Sequence, residues 1–84
     1  MKKILIYSKD ICPYCTKAKN LFQRKGAEFE EIKINSDELR QEMITKSGGR
    51  MTVPQIFIDD YHVGGCNDLY ALESEGKLKK LLGK

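Results

Sequence analysis

The first apolar stretch, Ile4-Leu5-Ile6-Tyr7, is continuous and rich in β-formers, the pattern of a strand covered on both faces. Ser8 to Pro13 breaks it. From Pro13 the apolar period changes. Cys15, Ala18, Leu21 and Phe22 fall on one face of a helix, with Lys17, Lys19, Asn20 and Arg24 on the other. Pro13 suits the first helical turn, where its missing N–H costs nothing, and Gly26 is a C-terminal stop. Phe29 to Ile34 reads as a second strand, with Glu30, Ile32 and Ile34 on one side and Phe29, Glu31 and Lys33 on the other. That mixed pattern belongs at a sheet edge. Asn35-Ser36-Asp37-Glu38 supplies a capping residue with Glu three places on, resembling a capping box. The helix behind it carries Leu39, Met43 and Ile44 and stops at Gly48-Gly49.

Gln55-Ile56-Phe57-Ile58 reads as a third strand, again apolar throughout and therefore central. Asp59-Asp60 turns the chain into a short fourth strand, Tyr61-His62-Val63. After Gly64-Gly65 a last helix begins at Cys66 or Asn67, with Leu69 and Leu72 as its apolar positions. Gly76 interrupts it, and Lys77 to Leu82 predicts a further helical turn or two. The order is βαβαββα, an α/β chain. The first crossover should be parallel and right-handed, and the hairpin at Asp59-Asp60 antiparallel. Two central and two edge-like strands fit a four-stranded mixed sheet in the order 2-1-3-4, flanked by three helices.

At 84 residues the chain has room for one domain, 1–84. A chain of this size hides only about 60% of the surface its unfolded form exposes, so the core will be thin. Small secreted domains often compensate with disulfides, but 3 cysteines, with only two close together, do not make a framework. Cysteine used for chemistry is the better reading. No apolar run approaches the roughly 18 residues of a membrane span. Met1-Lys2-Lys3 is a basic start, but the apolar run after it is too short for a signal peptide. A cytoplasmic protein in a reducing compartment is expected. The net charge of +3 is modest. Lys77, Lys79, Lys80 and Lys84 cluster, but Leu78, Leu81 and Leu82 alternate with them, which describes a solvated helix face rather than a nucleic-acid surface.

Cys12-Pro13-Tyr14-Cys15 stands at the junction of the first strand and first helix. A C-x-x-C there, in a cytosolic chain, reads as a redox motif. Cys12 lies at the helix N-terminus, where unpaired N–H groups and the positive dipole end favour a thiolate, and Lys9 adds charge upstream. Cys15 lies one turn inside, on the face of Ala18 and Phe22, and should be the more buried thiol. A competing reading is structural zinc. Cys12, Cys15, His62 and Cys66 nominally supply four ligands. Against it, the distant pair falls on a strand–Gly-Gly–helix segment, and Pro13 stiffens a loop that a metal knuckle keeps open. His62 alone reads as a surface residue of an edge strand, and no metal is expected.

Through Cys12-Pro13-Tyr14-Cys15, Thr52-Val53-Pro54 and Gly64-Gly65-Cys66-Asn67-Asp68-Leu69, the chain resembles the dithiol glutaredoxins of the small bacterial type, nearly end to end. The resemblance implies a thioredoxin-like fold and glutathione-dependent reduction of protein disulfides and glutathione mixed disulfides. Cys12 matches the nucleophile and Cys15 the resolving cysteine. Val53-Pro54 matches the segment whose proline is cis, with the backbone of Val53, beside Thr52, pairing with the cysteinyl unit of glutathione. Gly65, Cys66, Asn67 and Asp68 match the segment that holds its γ-glutamyl end. A helix N-terminus offers N–H groups to a carboxylate, and an acidic side chain accepts an ammonium. Asn67 or Asp68 could equally be the helix cap. Lys9, with Arg50 as a second candidate, matches the cation near the glycyl carboxylate, and Tyr14 shapes the cleft wall. Glutathione is the expected co-substrate. Ribonucleotide reductase is a family-level partner, and the expected state is a monomer. Some relatives bridge a [2Fe–2S] cluster between two chains, but Pro13 disfavours this, since the cluster binders usually carry a smaller residue there. Cys66 reads as packing under the Gly64-Gly65 turn, or as a third oxidisable thiol.

Overall fold

The structure, a computed structural model, describes residues 3–83. Met1, Lys2 and Lys84, invoked above for the basic start and the C-terminal lysine cluster, lie outside the described residues. Eight elements follow in the order β1 (Ile4–Ser8), α1 (Pro13–Arg24), β2 (Glu30–Lys33), α2 (Asp37–Lys46), β3 (Gln55–Ile58), β4 (Tyr61–Gly64), α3 (Cys66–Ser74) and α4 (Lys77–Leu81). The sheet order is β2-β1-β3-β4. β1 pairs parallel with β2, and antiparallel with β3, which pairs antiparallel with β4. This is the thioredoxin-like arrangement, with the two apolar runs at its centre.

The sheet separates two unequal cores. On one face Ile4, Ile6, Ile56 and Ile58 meet Ala18, Leu21 and Phe22 of α1, Leu69 of α3, and Leu78 and Leu82 around α4. The other face carries Tyr7, Phe57 and Met43, the one buried residue of α2, with Leu5, Ile32, Ile34 and Val53 packed against them. Tyr7 is fully buried and donates its hydroxyl to Glu42 Oε2 at 2.7 Å. Burial and that carboxylate push its pKa up, so the phenol stays neutral. Lys77, Lys79 and Lys80 sit on α4, whose Leu78 and C-cap Leu82 are core residues, so their spacing follows from packing.

Three local expectations change. β2 is shorter than Phe29–Ile34, because Phe29 turns into the first core beside Phe22, with ring centroids 6.1 Å apart. The cap of α2 is Ser36, whose hydroxyl accepts the Leu39 N–H at 3.3 Å. Glu38 is then only the second helical residue, too early to reach back, and no capping box forms. Lys77–Leu81 is a fourth helix, set off by Gly76 at φ +75°. Among the described residues, no helix is long and apolar enough to cross a membrane.

Candidate active site

Register alone gathers the site at one sheet end. Tyr7 of β1 opposes Gln55 of β3, and Ile56 opposes Gly64 of β4. The end of β1, the start of β3 and the end of β4 therefore lie side by side. The chain leaves β1 into Cys12, enters β3 from Thr52-Val53-Pro54, and leaves β4 into the first turn of α3.

Cys12 is the N-cap of α1, in extended conformation (φ −150°, ψ 96°), and Pro13 is the first helical residue. The cap role that Ser or Asp usually fills falls to sulfur: Cys12 Sγ accepts the Cys15 N–H at 3.2 Å. The first turn of α1 holds no acidic residue, so nothing there offsets the positive end of the helix. A negative charge on Cys12 therefore gains an N–H donor and a favourable dipole. Cys12 and Cys15 are joined as a disulfide, their Cα atoms 5.2 Å apart. Cys15 is 1% exposed, on the core face with Ala18 and Phe22, whereas Cys12 is partly accessible. An accessible sulfur at the dipole end and a buried partner one turn behind suit attack by the first and resolution by the second.

A groove of about 490 Å³ runs from Tyr14 of the cysteine turn along Thr52, Val53 and Pro54 to Gly65, Cys66, Asn67 and Asp68, with Arg50 also on its wall. The Val53–Pro54 peptide bond is cis. Lys9 is exposed on the loop before Cys12 and is not among the lining residues, so the cation on the groove wall is Arg50. Tyr14 is 58% exposed, which fits a wall.

At the far end Gly65 is the N-cap of α3 and Asp68 its third residue. Gly65 has no side chain to offer, so the cap is one-sided: Asp68 Oδ2 accepts the Gly65 N–H at 2.9 Å. The same oxygen lies 3.6 Å from the Arg50 guanidinium. Asp68 thus caps its helix and presents charge to the groove at once, and Asn67 is a first-turn residue rather than the cap. Gly64 is obligatory here. Its φ is +112°, and a Cβ would overlap the Asp68 carboxylate. Cys66 is 5% exposed, and burial pushes its thiol pKa up, the opposite of an activated cysteine.

A supporting chain was missed in the sequence. Gln55, fully buried in β3, donates its amide to the Thr52 carbonyl at 2.9 Å and to the Thr52 hydroxyl at 3.2 Å. Its Oε1 therefore accepts, and His62 Nε2, 2.8 Å away, carries the donated proton. The His62 ring stacks on Phe57 with centroids 4.8 Å apart, and burial, with Arg50 nearby, pushes its pKa down. His62 is thus a neutral brace for the Thr52–Pro54 segment. Among the described residues, no three His, Cys, Asp or Glu side chains converge, so the four nominal zinc ligands are not brought together. The signal for the brace was a polar residue in an otherwise apolar central strand, since a buried amide needs partners. Ser47, also buried, holds Arg50 by accepting its N–H at 3.1 Å and donating to its carbonyl at 3.0 Å.

The family profile described as glutaredoxin matches residues 4–63. Glutaredoxin 3 of Escherichia coli K12 is 50% identical over 82 residues, covering 98% of this chain and 99% of that one. The solution structure of glutaredoxin from Brucella melitensis is 59% identical with a TM-score of 0.85, covering 100% of this chain and 94% of the other. The crystal structure of a buckwheat glutaredoxin–glutathione complex superposes with a TM-score of 0.89 at 30% identity, covering 98% and 77%.

Proposed function

The chain belongs to the glutaredoxin family, and on that premise we propose that it is a glutathione-dependent thiol–disulfide oxidoreductase with Cys12 as nucleophile and Cys15 as resolving thiol. The observation that carries the assignment is the Cys12 sulfur at the cap of α1, receiving the Cys15 N–H and disulfide-linked to the buried Cys15.

Cys12 thiolate attacks the glutathionyl sulfur of a mixed disulfide. The old S–S bond breaks, and the substrate leaves as a thiolate that takes a proton from water. A second glutathione, as thiolate, attacks the same glutathionyl sulfur. Oxidised glutathione leaves and Cys12 returns as thiolate. With a disulfide inside a protein, Cys12 first forms a mixed disulfide with one substrate sulfur. Cys15 then loses its proton and attacks Cys12, releasing the reduced substrate. Two glutathiones reopen the Cys12–Cys15 bond in turn.

Magnitudes identify the step a stabilised thiolate helps. An ordinary thiol of pKa about 8.5 is roughly 3% ionised at pH 7. Lowering such a pKa by about three units gives some 30-fold more thiolate, but the Brønsted slope of about 0.4–0.5 takes back about 16- to 30-fold in nucleophilicity. Attack gains little. The leaving group gains, so turnover by glutathione is the step that the helix end accelerates.

The groove suits glutathione in shape and charge. We assign the cysteinyl unit to the backbone of Val53 beside Thr52, next to Pro54 and facing Cys12. The γ-glutamyl carboxylate goes to the first-turn N–H groups of α3 around Gly65, Cys66 and Asn67, and its ammonium to Asp68. The glycyl carboxylate goes to the flanking cations, Arg50 on the wall and Lys9 on the preceding loop. Tyr14 closes the wall beside Cys12. Glutathione needs no metal for this chemistry. Disulfide-bearing and glutathionylated proteins are the assigned substrates, with ribonucleotide reductase named on family resemblance. The reading takes 1–84 as one monomeric domain working in the cytoplasm, where reduced glutathione is available.

The test is a coupled assay on a small glutathione mixed disulfide. NADPH consumption should require glutathione and glutathione reductase. Equal turnover with a thioredoxin-type reductase and no glutathione would contradict the reading.

A further inference from the structure

A second groove, also of about 490 Å³, lies between α1 and α3 and is lined by Lys17, Asn20, Gln23, Arg24 and Tyr70. Its charge is of one sign. The neighbouring lysines are neutralised: Lys19 pairs with Glu31 at 2.8 Å and Lys25 with Glu73 at 2.6 Å. Among the described residues, neither Lys17 nor Arg24 has a carboxylate within ion-pair reach. Both are instead arranged around one aromatic side chain. The Lys17 ammonium stands 5.4 Å from the Tyr70 ring centroid, and Arg24 donates to the Tyr70 hydroxyl at 3.3 Å. That hydroxyl in turn donates to the Lys17 carbonyl at 3.2 Å. Tyr70 thus holds two uncompensated cations along one wall.

The position of the wall gives it meaning. Pro13, Lys17, Asn20 and Arg24 are spaced by three or four residues, so they form one stripe along α1. The stripe starts at the turn that holds Cys12 and runs along α1 to its last turn. At a rise of 1.5 Å per residue, Lys17 lies about 7.5 Å and Arg24 about 18 Å along the axis from Cys12. An extended chain advances about 3.3 Å per residue. A substrate cysteine bonded to Cys12 would therefore bring its second and its fifth or sixth neighbours beside Lys17 and Arg24.

We propose that this stripe docks an acidic segment of the protein substrate, with Asp or Glu about two and five residues from the reacting cysteine, while glutathione uses the other groove. The proposal rests on the oxidoreductase reading above and adds a determinant of protein-substrate choice. It adds no chemical step.

Two glutathionylated peptides test it, identical except for Asp or Lys at those two positions. Surface ion pairs contribute about 0.2–1 kcal/mol each, so two should favour the acidic peptide in kcat/KM by about 2- to 30-fold at low salt. The preference should shrink in about 0.5 M salt. Lys17→Glu with Arg24→Glu should reverse it and leave turnover of a small glutathione mixed disulfide unchanged. Lys17→Gln keeps the Arg24–Tyr70 bond and should cut the preference to its square root, roughly 1.4- to 5-fold, should the double variant fail to fold. Binding of the acidic peptide with its cysteine replaced by serine, followed by fluorescence anisotropy, reads docking without chemistry. Failure of the oxidoreductase reading would appear only in the turnover assays. Equal binding and turnover of both peptides, or a preference that survives salt and charge reversal, would overturn the proposal. Tight binding of a single-stranded oligonucleotide, with no preference between peptides, would overturn it in favour of nucleic acid.

Discussion

The backbone N–H of Cys15 points at the sulfur of Cys12 from 3.2 Å. One residue thereby sets the chemistry of the other. The bond places the Cys12 sulfur over the open end of α1, where charge is favoured, while the side chain of Cys15 turns into the core. Two cysteines three residues apart acquire different roles because one belongs to the cap and the other to the first turn.

Asp68 separates capping from binding. Asp68→Asn keeps an oxygen for the Gly65 N–H but removes the charge. One charge-assisted hydrogen bond contributes about 1.5–3 kcal/mol, so KM for glutathione should rise roughly 10- to 150-fold with little change in melting temperature. Asp68→Ala should add a stability loss of about 0.5–2 kcal/mol for the cap. Steady-state kinetics with thermal denaturation check both. An unchanged KM in Asp68→Asn would reduce Asp68 to a cap.

Glu31 ties β2 to α1, accepting from Ser8 Oγ at 2.6 Å and Lys19 Nζ at 2.8 Å. Lys19 first, then Ser8, pulls its pKa below the usual carboxylate range, against the opposing effect of burial. A carboxyl whose folded pKa is depressed stabilises fully above its unfolded pKa, and the contribution fades as pH falls through the folded value. Glu31→Gln should therefore cost about 1–2 kcal/mol at pH 7. Denaturant melts of the two proteins should converge as pH drops below the unfolded carboxyl pKa of about 4.3. A difference independent of pH would remove the charge from this account.

Cys66 lines the groove yet is buried and holds its proton. Cys66→Ser should leave turnover within a few-fold of the parent. In the reduced parent, mild alkylation at neutral pH should label Cys12 well before Cys66, as read by mass spectrometry. Preferential labelling of Cys66, or collapse of activity in a folded Cys66→Ser protein, would contradict a packing role.

The readable parts of the chain are those where one physical rule acts alone. Ile4–Tyr7 and Gln55–Ile58 show no alternation because both faces are covered, and the structure makes them the central strands. Cys15, Ala18, Leu21 and Phe22 follow the helical period and all are buried. Ser36 was obscured because Asn35 also caps well and has Glu38 at the right spacing. Only the backbone decides between adjacent candidates. The brace Gln55–His62 and the pair Arg50–Asp68 join residues 7 and 18 positions apart through register and loop path, which no local pattern encodes. Candidate groove residues were legible as motifs, but the choice of Arg50 over Lys9 as the wall cation needed the fold.

The most direct measurement compares Cys12→Ser and Cys15→Ser in two assays, reduction of a small glutathione mixed disulfide and reduction of a protein disulfide. Cys12→Ser should lose both activities, since no other thiol caps a helix with its sulfur accessible. Cys15→Ser should keep the first and lose the second, because only the protein disulfide needs a resolving thiol. Appreciable mixed-disulfide turnover by Cys12→Ser, or loss of both activities in a folded Cys15→Ser protein, would contradict the assignment of the two cysteines.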